Sequence, residues 1–361
     1  MAKDISSKDL VIHVLNVGFG DNILIEFPAD KTGKRSYGIV DCYSSKKTKS
    51  YLNKLIPDPS KRSRLAFICA THPHSDHIMG IKSILEDTTY QPMEFWDSGF
   101  RHKSDTYRKI LNTLNTEKIR MIRVSSGMEQ YFGKVRLTVL APSVVLRNRY
   151  DTYGIDMNNS SVVLRLEHHG TEVMEMRSQE YVGDMSLEAV RSAGKSVVIL
   201  AGDAEFDSWA QISHEYPRVE RSSTHKPLVK KMVNNLACSV VKVAHHGSMH
   251  SSPLDIYEIM SPKLAIVSTK QEQSTKKQDG GSLTRDMFPH QSATIALEEC
   301  DARILTTDGS YESKREEDGS QKDPEMAPPG SIVVVIPPGG TPRWKKLSDK
   351  KKDVPDPPKK I

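Results

Sequence analysis

Ala70-Thr71-His72-Pro73-His74-Ser75-Asp76-His77-Ile78-Met79-Gly80 gathers three imidazoles and a carboxylate between His72 and His77. The segment before it, Arg64-Leu65-Ala66-Phe67-Ile68-Cys69-Ala70, is a short apolar run of the kind that forms a buried strand. After it, Ile78, Ile81, Ile84 and Leu85 recur at helical spacing. The histidines therefore fall on a loop where a strand hands over to a helix, a usual place for a site in a layered α/β domain. Imidazole and carboxylate suit divalent ions such as Zn²⁺ and Mn²⁺. His72 and His74, two apart on extended backbone, can share one ion, while Asp76 and His77, beyond the turn, can face a second. A polar loop with chance histidines would rarely concentrate so many ligand-type side chains directly after an apolar strand.

The chain has 361 residues, 37% hydrophobic and 27% charged, enough for one large two-layer domain or two modest ones. Its net charge of +5 is mild, and many lysines cluster from Lys345 to Lys360. That balance admits a polyanionic substrate without demanding one. Cys42, Cys69, Cys238 and Cys300 form no C-x-x-C pair, so reduced thiols in a reducing, cytoplasmic compartment are expected. The N-terminus lacks the apolar core of a signal peptide, and no apolar run approaches the roughly 20 residues of a membrane helix.

Leu10–Val17 and Asn22–Phe27 read as strands around the tight turn Gly18-Phe19-Gly20-Asp21, and Tyr37–Asp41 as a third strand ending in a carboxylate. His13 reads as a strand-face histidine. Met157–Leu166 is a strand introduced by Asn and Ser, and His168-His169-Gly170 reads as an exposed turn after it. Ser196–Ala201 is an apolar run that ends in Gly202-Asp203. A helix is expected within Pro227–Cys238, then a strand, Ser239–Ala244, that runs into His245-His246-Gly247-Ser248. Irregular insertions are expected near 171–195, 269–287 and 312–330, and a disordered basic tail over 345–361.

His-x-His-x-Asp-His followed by glycine resembles the signature of the metallo-β-lactamase superfamily of two-metal hydrolases. The resemblance runs from about Leu10 to Ile336 and implies a four-layer αββα sandwich as one domain over 1–344. It implies Zn²⁺ or Mn²⁺ pairs held by His72, His74, Asp76, His77, a bridging Asp203, and one histidine of the 245–246 pair. His245 is favoured as that ligand because it comes directly off the strand, with His246 left to contact substrate or carry a proton. Asp41 is expected to brace the histidine loop by hydrogen bonding, not to ligate. Most of the superfamily has a further histidine where this chain has Asn158-Asn159-Ser160-Ser161.

That departure, together with His-His-Gly-Ser, looks like the branch containing the soluble nuclease domain of ComEC-type competence proteins. It suggests that Asn159 and Ser161 orient a substrate oxygen or a metal-bound water and that His290 stabilises a leaving oxygen. The resemblance implies a cation pair that activates water against a phosphodiester of DNA or RNA, with Asp76 and His246 near the reacting atoms. Other readings are hydrolysis of a small ester, lactone or thioester, di-iron redox chemistry with a flavin partner, or a non-catalytic metal-binding partner of a protein from the same operon. Nucleic acid is the expected partner, and no membrane is.

Overall fold

Val198 and Leu200 of one strand face one core while Val197 and Ile199 face another, and this alternation recurs from strand to strand. A period of two with both faces apolar marks strands buried on both sides. The computed structural model of the protein describes residues 5–56, 65–100, 102–153, 156–169, 196–216, 219–223, 226–233, 236–251, 253–270, 275–277, 283–285, 288–315, 321–348 and 359–360.

The first half carries β1 (Leu10–Val14), β2 (Asn22–Glu26), β3 (Tyr37–Cys42), α1 (Ser45–Leu55), β4 (Leu65–Ala70), α2 (Ser75–Ile78), α3 (Ile81–Leu85), β5 (Pro92–Asp97), α4 (Asp105–Thr116) and β6 (Arg120–Arg123). Next come β7 (Glu129–Phe132), β8 (Val135–Ala141), α5 (Val144–Tyr153), a 3-10 turn (Met157–Ser160), β9 (Val163–His168), β10 (Ser196–Leu200), α6 (Phe206–Glu215), β11 (Val219–Ser223) and β12 (Lys226–Val233). The remainder carries β13 (Val240–Lys242), α7 (Leu254–Met260), β14 (Leu264–Val267), β15 (Thr275–Lys277), β16 (Leu283–Arg285), α8 (Gln291–Glu299), β17 (Arg303–Thr306), β18 (Glu312–Arg315), β19 (Gln321–Glu325), β20 (Gly330–Ile336), β21 (Arg343–Ser348) and β22 (Lys359–Lys360).

One 9-stranded sheet runs β22-β21-β20-β1-β2-β3-β4-β5-β6, and a second runs β19-β18-β17-β14-β13-β10-β9-β8-β7. The core between them takes Ile12, Ile25, Val40 and Phe67 from the first sheet and Leu137, Leu164, Leu200 and Ile266 from the second. On the outer face of the first sheet, Leu52 of α1, Ile84 of α3 and Ile110 of α4 pack on Ile39, Ile68 and Phe95. On the outer face of the second, Trp209 of α6, Tyr257 of α7 and Leu297 of α8 pack on Ile199, Val241 and Ile304. The chain thus forms the αββα sandwich that the resemblance implies. Within each sheet a run of parallel strands, β3-β4-β5-β6 and β10-β13-β14-β17, lies beside antiparallel neighbours.

Several expectations are corrected. Within Pro227–Cys238, expected to hold a helix, the chain instead carries β12 (Lys226–Val233), whose backbone is taken up by antiparallel pairing with β11. His168 and His169 are buried rather than exposed: His168 ends β9 and its ring meets the carbonyls of Lys8 and Lys134. The first residues of the expected tail, Lys345–Ser348, complete β21, which pairs with β20 and buries Lys345. The 269–287 and 312–330 segments contain the paired strands β15–β16 and β18–β19. The insertion near 171–195 lies outside the described residues. Among the described residues no helix is long and apolar enough to cross a membrane.

Candidate metal centre

β3 and β4 run parallel in the first sheet, β10 and β13 in the second, and all four end at the same rim. Open α/β sheets build sites at such carboxyl ends. β3 delivers Asp41, β4 the Thr71–His77 loop, β10 Gly202-Asp203, and β13 the His245-His246 turn. The chain turns into α2 directly after His74, and the His77 ring comes back beside that of His72, centroids 4.2 Å apart.

The His77 ring is fixed from behind. Asp41 accepts the backbone N–H of Thr71 at 2.8 Å, the Thr71 hydroxyl at 2.7 Å and His77 Nδ1–H at 2.7 Å. Asp41 does this at φ 57, a left-handed conformation that Asp tolerates better than most residues. His77 Nε2 is thereby aimed inward, 3.1 Å from Asp203 Oδ2 and 3.6 Å from Asp76 Oδ2. His246 donates Nδ1–H to the Ser268 carbonyl at 2.7 Å, leaving Nε2 3.2 Å from Asp76 Oδ2. Asp76, His77, Asp203 and His246 each offer an atom within 4.8 Å of the others. His72 Nε2 lies 3.0 Å from His74 Nδ1 and 3.7 Å from Asp203 Oδ2. Asp203 therefore stands between the two histidine sets.

Two buried atoms test whether this donor set fits a cation. His77 Nε2 and Asp203 Oδ1 are shut from water and have no partner in hydrogen-bond geometry. Leaving such groups unsatisfied costs about 1–3 kcal/mol each. Inward-facing imidazole nitrogens and carboxylate oxygens are the ligands that Zn²⁺ and Mn²⁺ take. The residues fit a divalent ion.

Charges within the site are mutually adjusted. Burial alone would push the His77 pKa down, but the Asp203 and Asp41 carboxylates outweigh it and raise it well above the usual value. Burial would raise the Asp203 pKa, yet His77 holds it well below the ordinary range. Asp76 is likewise depressed against its burial, by the hydrogen bond from His246 and the charge of His77. His72 is pushed down by burial and by His77.

The sequence favours His245 as the ligand and His246 as the substrate-side residue; the geometry brings them in the other way round. Both adopt left-handed backbone, φ 43 and φ 52. Such non-glycine conformations cost about 1–3 kcal/mol each and cluster at functional sites. They send the two rings in different directions. His246 enters the four-donor cluster, whereas His245 turns to Glu205, with Nδ1 2.9 Å from Oε1, and keeps Nε2 3.9 Å from Asp203 Oδ2. Burial would lower the His245 pKa, but the Glu205 hydrogen bond and the Asp203 charge raise it.

Asn159 and Ser161, expected at a substrate oxygen, instead sit behind the site. Asn159 Oδ1 accepts the Ser208 N–H in the first turn of α6 at 3.0 Å, and Ser161 Oγ accepts the Asp203 N–H at 3.0 Å. His290 caps α8, its Nδ1 accepting the Ser292 N–H at 3.2 Å. Glu205 and Asn158 escaped the sequence reading although they join His245 at the rim, Asn158 donating to Glu205 at 3.0 Å. The signal available was a carboxylate two residues after Asp203. Phe19 lies over His246, ring centroids 4.4 Å apart, with Phe288 5.4 Å from Phe19.

Gly20 has a packing reason to be glycine. A Cβ there would stand 2.6 Å from the Asp76 carbonyl oxygen, and its φ is +146. Gly20→Ala is therefore expected to push the Asp76 loop outward and cost about 1–3 kcal/mol, read by urea unfolding. Wild-type stability together with wild-type metal uptake would contradict that close contact.

No family model matches the chain. It is 22% identical over 307 residues to ComE operon protein 3 of Bacillus subtilis (strain 168), a match covering 82% of this chain and 32% of that protein. The chain thus spans about a third of that curated relative. Among solved structures it is similar to a long form RNase Z from yeast, 12% identical, TM-score 0.37, covering 83% of this chain and 40% of that one. It is also similar to a diphosphatase of the PhnP family, 10% identical, TM-score 0.33, covering 74% and 81%. A third is CmlA, a diiron beta-hydroxylase from Streptomyces venezuelae, 10% identical, TM-score 0.35, covering 81% and 50%. Overlaps this low leave the activity of this chain to be argued from its own residues.

Proposed function

We propose that this chain is a metal-dependent hydrolase that cleaves phosphodiester bonds in DNA or RNA. The observation that carries the reading is the convergence of Asp76, His77, Asp203 and His246, from three separate chain segments, within 4.8 Å. These four residues would hold one divalent ion, and His72 and His74 would share Asp203 at a second. Bound there, Zn²⁺ or Mn²⁺ supplies Lewis-acid polarisation of a phosphoryl oxygen and a water acidified toward neutrality.

The chain's own side chains do the rest. Asp41 and the Ser268 carbonyl fix which nitrogen of His77 and His246 faces inward. Glu205 orients His245, whose side chain is 24% exposed and whose Nε2 lies 3.9 Å from Asp203 Oδ2. A substrate oxygen that reaches the partly exposed His245 ring would accept its hydrogen bond, the substrate-contacting role that the sequence suggested for His246. Phe19 and Phe288 cover His246 and limit water on that side.

The choice of nucleic acid rests on the motif resemblance to ComEC-type nuclease domains and on the likeness to ComE operon protein 3. A net charge of +5 is in keeping with a phosphate-rich substrate. All four cysteines are unpaired, which suits a reducing, cytoplasmic setting. The test uses chelated protein reloaded with Mn²⁺ or Zn²⁺ and assayed on single- and double-stranded DNA, RNA and bis(p-nitrophenyl) phosphate. Metal-dependent cleavage of a nucleic acid is the expected result. Turnover of esters or lactones, with every phosphodiester left intact, would replace this reading.

A further inference from the structure

Lys242 is a charged residue in an otherwise apolar strand segment, Val240-Val241-Lys242-Val243. It is 1% exposed. Val240 faces the core between the sheets and Val241 the outer one, so the alternation turns Lys242 inward. Its Nζ donates to Asp21 Oδ2 across the sandwich, and Asp21 is fully buried in the turn before β2. The pair joins one sheet to the other just beneath the candidate metal centre.

Asp21 also holds the ligand loop through its backbone. Its N–H donates to the Asp76 carbonyl at 3.1 Å, and its carbonyl accepts the Tyr43 N–H at 3.1 Å. Its Oδ2 lies 4.0 Å from His77 Nδ1. At the other end, Lys242 closes β13, and the chain then runs through Val243 and Ala244 into His245-His246. One ion pair thus links the segment bearing Asp76 and His77 to the segment bearing His246.

We propose that Asp21 and Lys242 are positioning residues: a cross-sheet strut that sets the spacing between the two halves of the metal centre. The proposal rests on the metal-centre reading above. Stability alone does not call for this pair, because apolar residues of similar volume often hold such a position equally well. Apolar packing between sheets is also non-directional. A charged hydrogen bond is directional and fixes distance and register, and metal ligation tolerates displacements of only a few tenths of an ångström.

The test compares Lys242→Met, Asp21→Asn and the double variant Asp21→Leu/Lys242→Met in the full chain. Two quantities are read: the unfolding midpoint without metal, and affinity for Mn²⁺ and Zn²⁺ by calorimetry. Lys242→Met is expected to lower the midpoint, since it takes away the ammonium group hydrogen-bonded to the buried Asp21 carboxylate, and to weaken metal binding at least about tenfold. The double variant is expected to regain the midpoint while its metal affinity stays at least about tenfold below wild type. Recovery of both would show a space-filling pair and overturn the proposal. Should the double variant not fold, Asp21→Asn decides, because it keeps the shape and a hydrogen bond but loses the charge: weakened affinity is expected, and wild-type affinity overturns the strut. A wild type that binds neither ion overturns the metal-centre reading and the strut with it, which is distinguishable from a wild type that binds while every variant binds equally.

Discussion

Asp203→Asn is expected to weaken divalent-metal binding by at least about 100-fold and to remove turnover, with the fold intact. Asp203 puts a carboxylate near both histidine sets, its Oδ2 lying 3.1 Å from His77, 3.7 Å from His72 and 3.9 Å from His245. The substitution is nearly isosteric, and the backbone N–H that Ser161 accepts is unchanged. What disappears is a negative charge that His77 holds ionised well below the usual carboxylate range in spite of its burial. An amide can neither balance two cations nor offer two anionic oxygens. Metal content after dialysis, alongside circular dichroism, checks the prediction. Wild-type metal content in the folded variant would remove Asp203 from the centre.

Much of this candidate site was legible because the residues that could hold a metal come in short local clusters. His72 to His77 stand together where an apolar strand ends, and Asp203 follows another such strand. Both signals depend on residues close in sequence. What escaped depends on chain direction or long-range packing. The choice between His245 and His246 is made by two successive left-handed residues, and neither residue type announces that conformation. Asn159 and Ser161 have the composition of substrate contacts, yet their hydrogen bonds go to α6 and to the Asp203 backbone. Asp21 and Lys242 meet across 221 residues of sequence, so only the lone lysine in an apolar strand hinted at a buried counter-charge. Individual strands were readable from their apolar runs and the sandwich from the motif resemblance, whereas the β11–β12 hairpin was not, because its pairing depends on a partner strand with no apolar run of its own.

Affinity for Zn²⁺ or Mn²⁺ is expected to rise about tenfold per pH unit between roughly pH 5.5 and 7, with about one proton released on binding. Imidazole must be neutral to ligate, and His77 without metal is held in its charged form: burial opposes this, but Asp203 and Asp41 prevail and raise its pKa well above the ordinary histidine value. The sign for stability runs the other way. A raised histidine pKa contributes stability that is fully present below the unfolded value of about 6.5 and is lost as pH rises through the folded value. Asp203, being depressed, contributes stability above the unfolded carboxylate value of about 3.9, lost only as pH falls through its lower folded value. Alkaline pH therefore weakens the His77 contribution to the metal-free fold while favouring metal uptake. Asp41→Asn separates the contributions. Asn tolerates the left-handed backbone at position 41 and can still accept the Thr71 N–H, but it takes away one of the two charges holding the His77 proton. In that variant the proton release, measured by calorimetry in buffers of differing ionisation enthalpy, is expected to fall and the pH slope to flatten. Flat affinity and no proton release in the wild type at pH 6.5 would mean that His77 enters the centre already neutral, and the charge balance drawn from Asp41 and Asp203 would have to be redrawn.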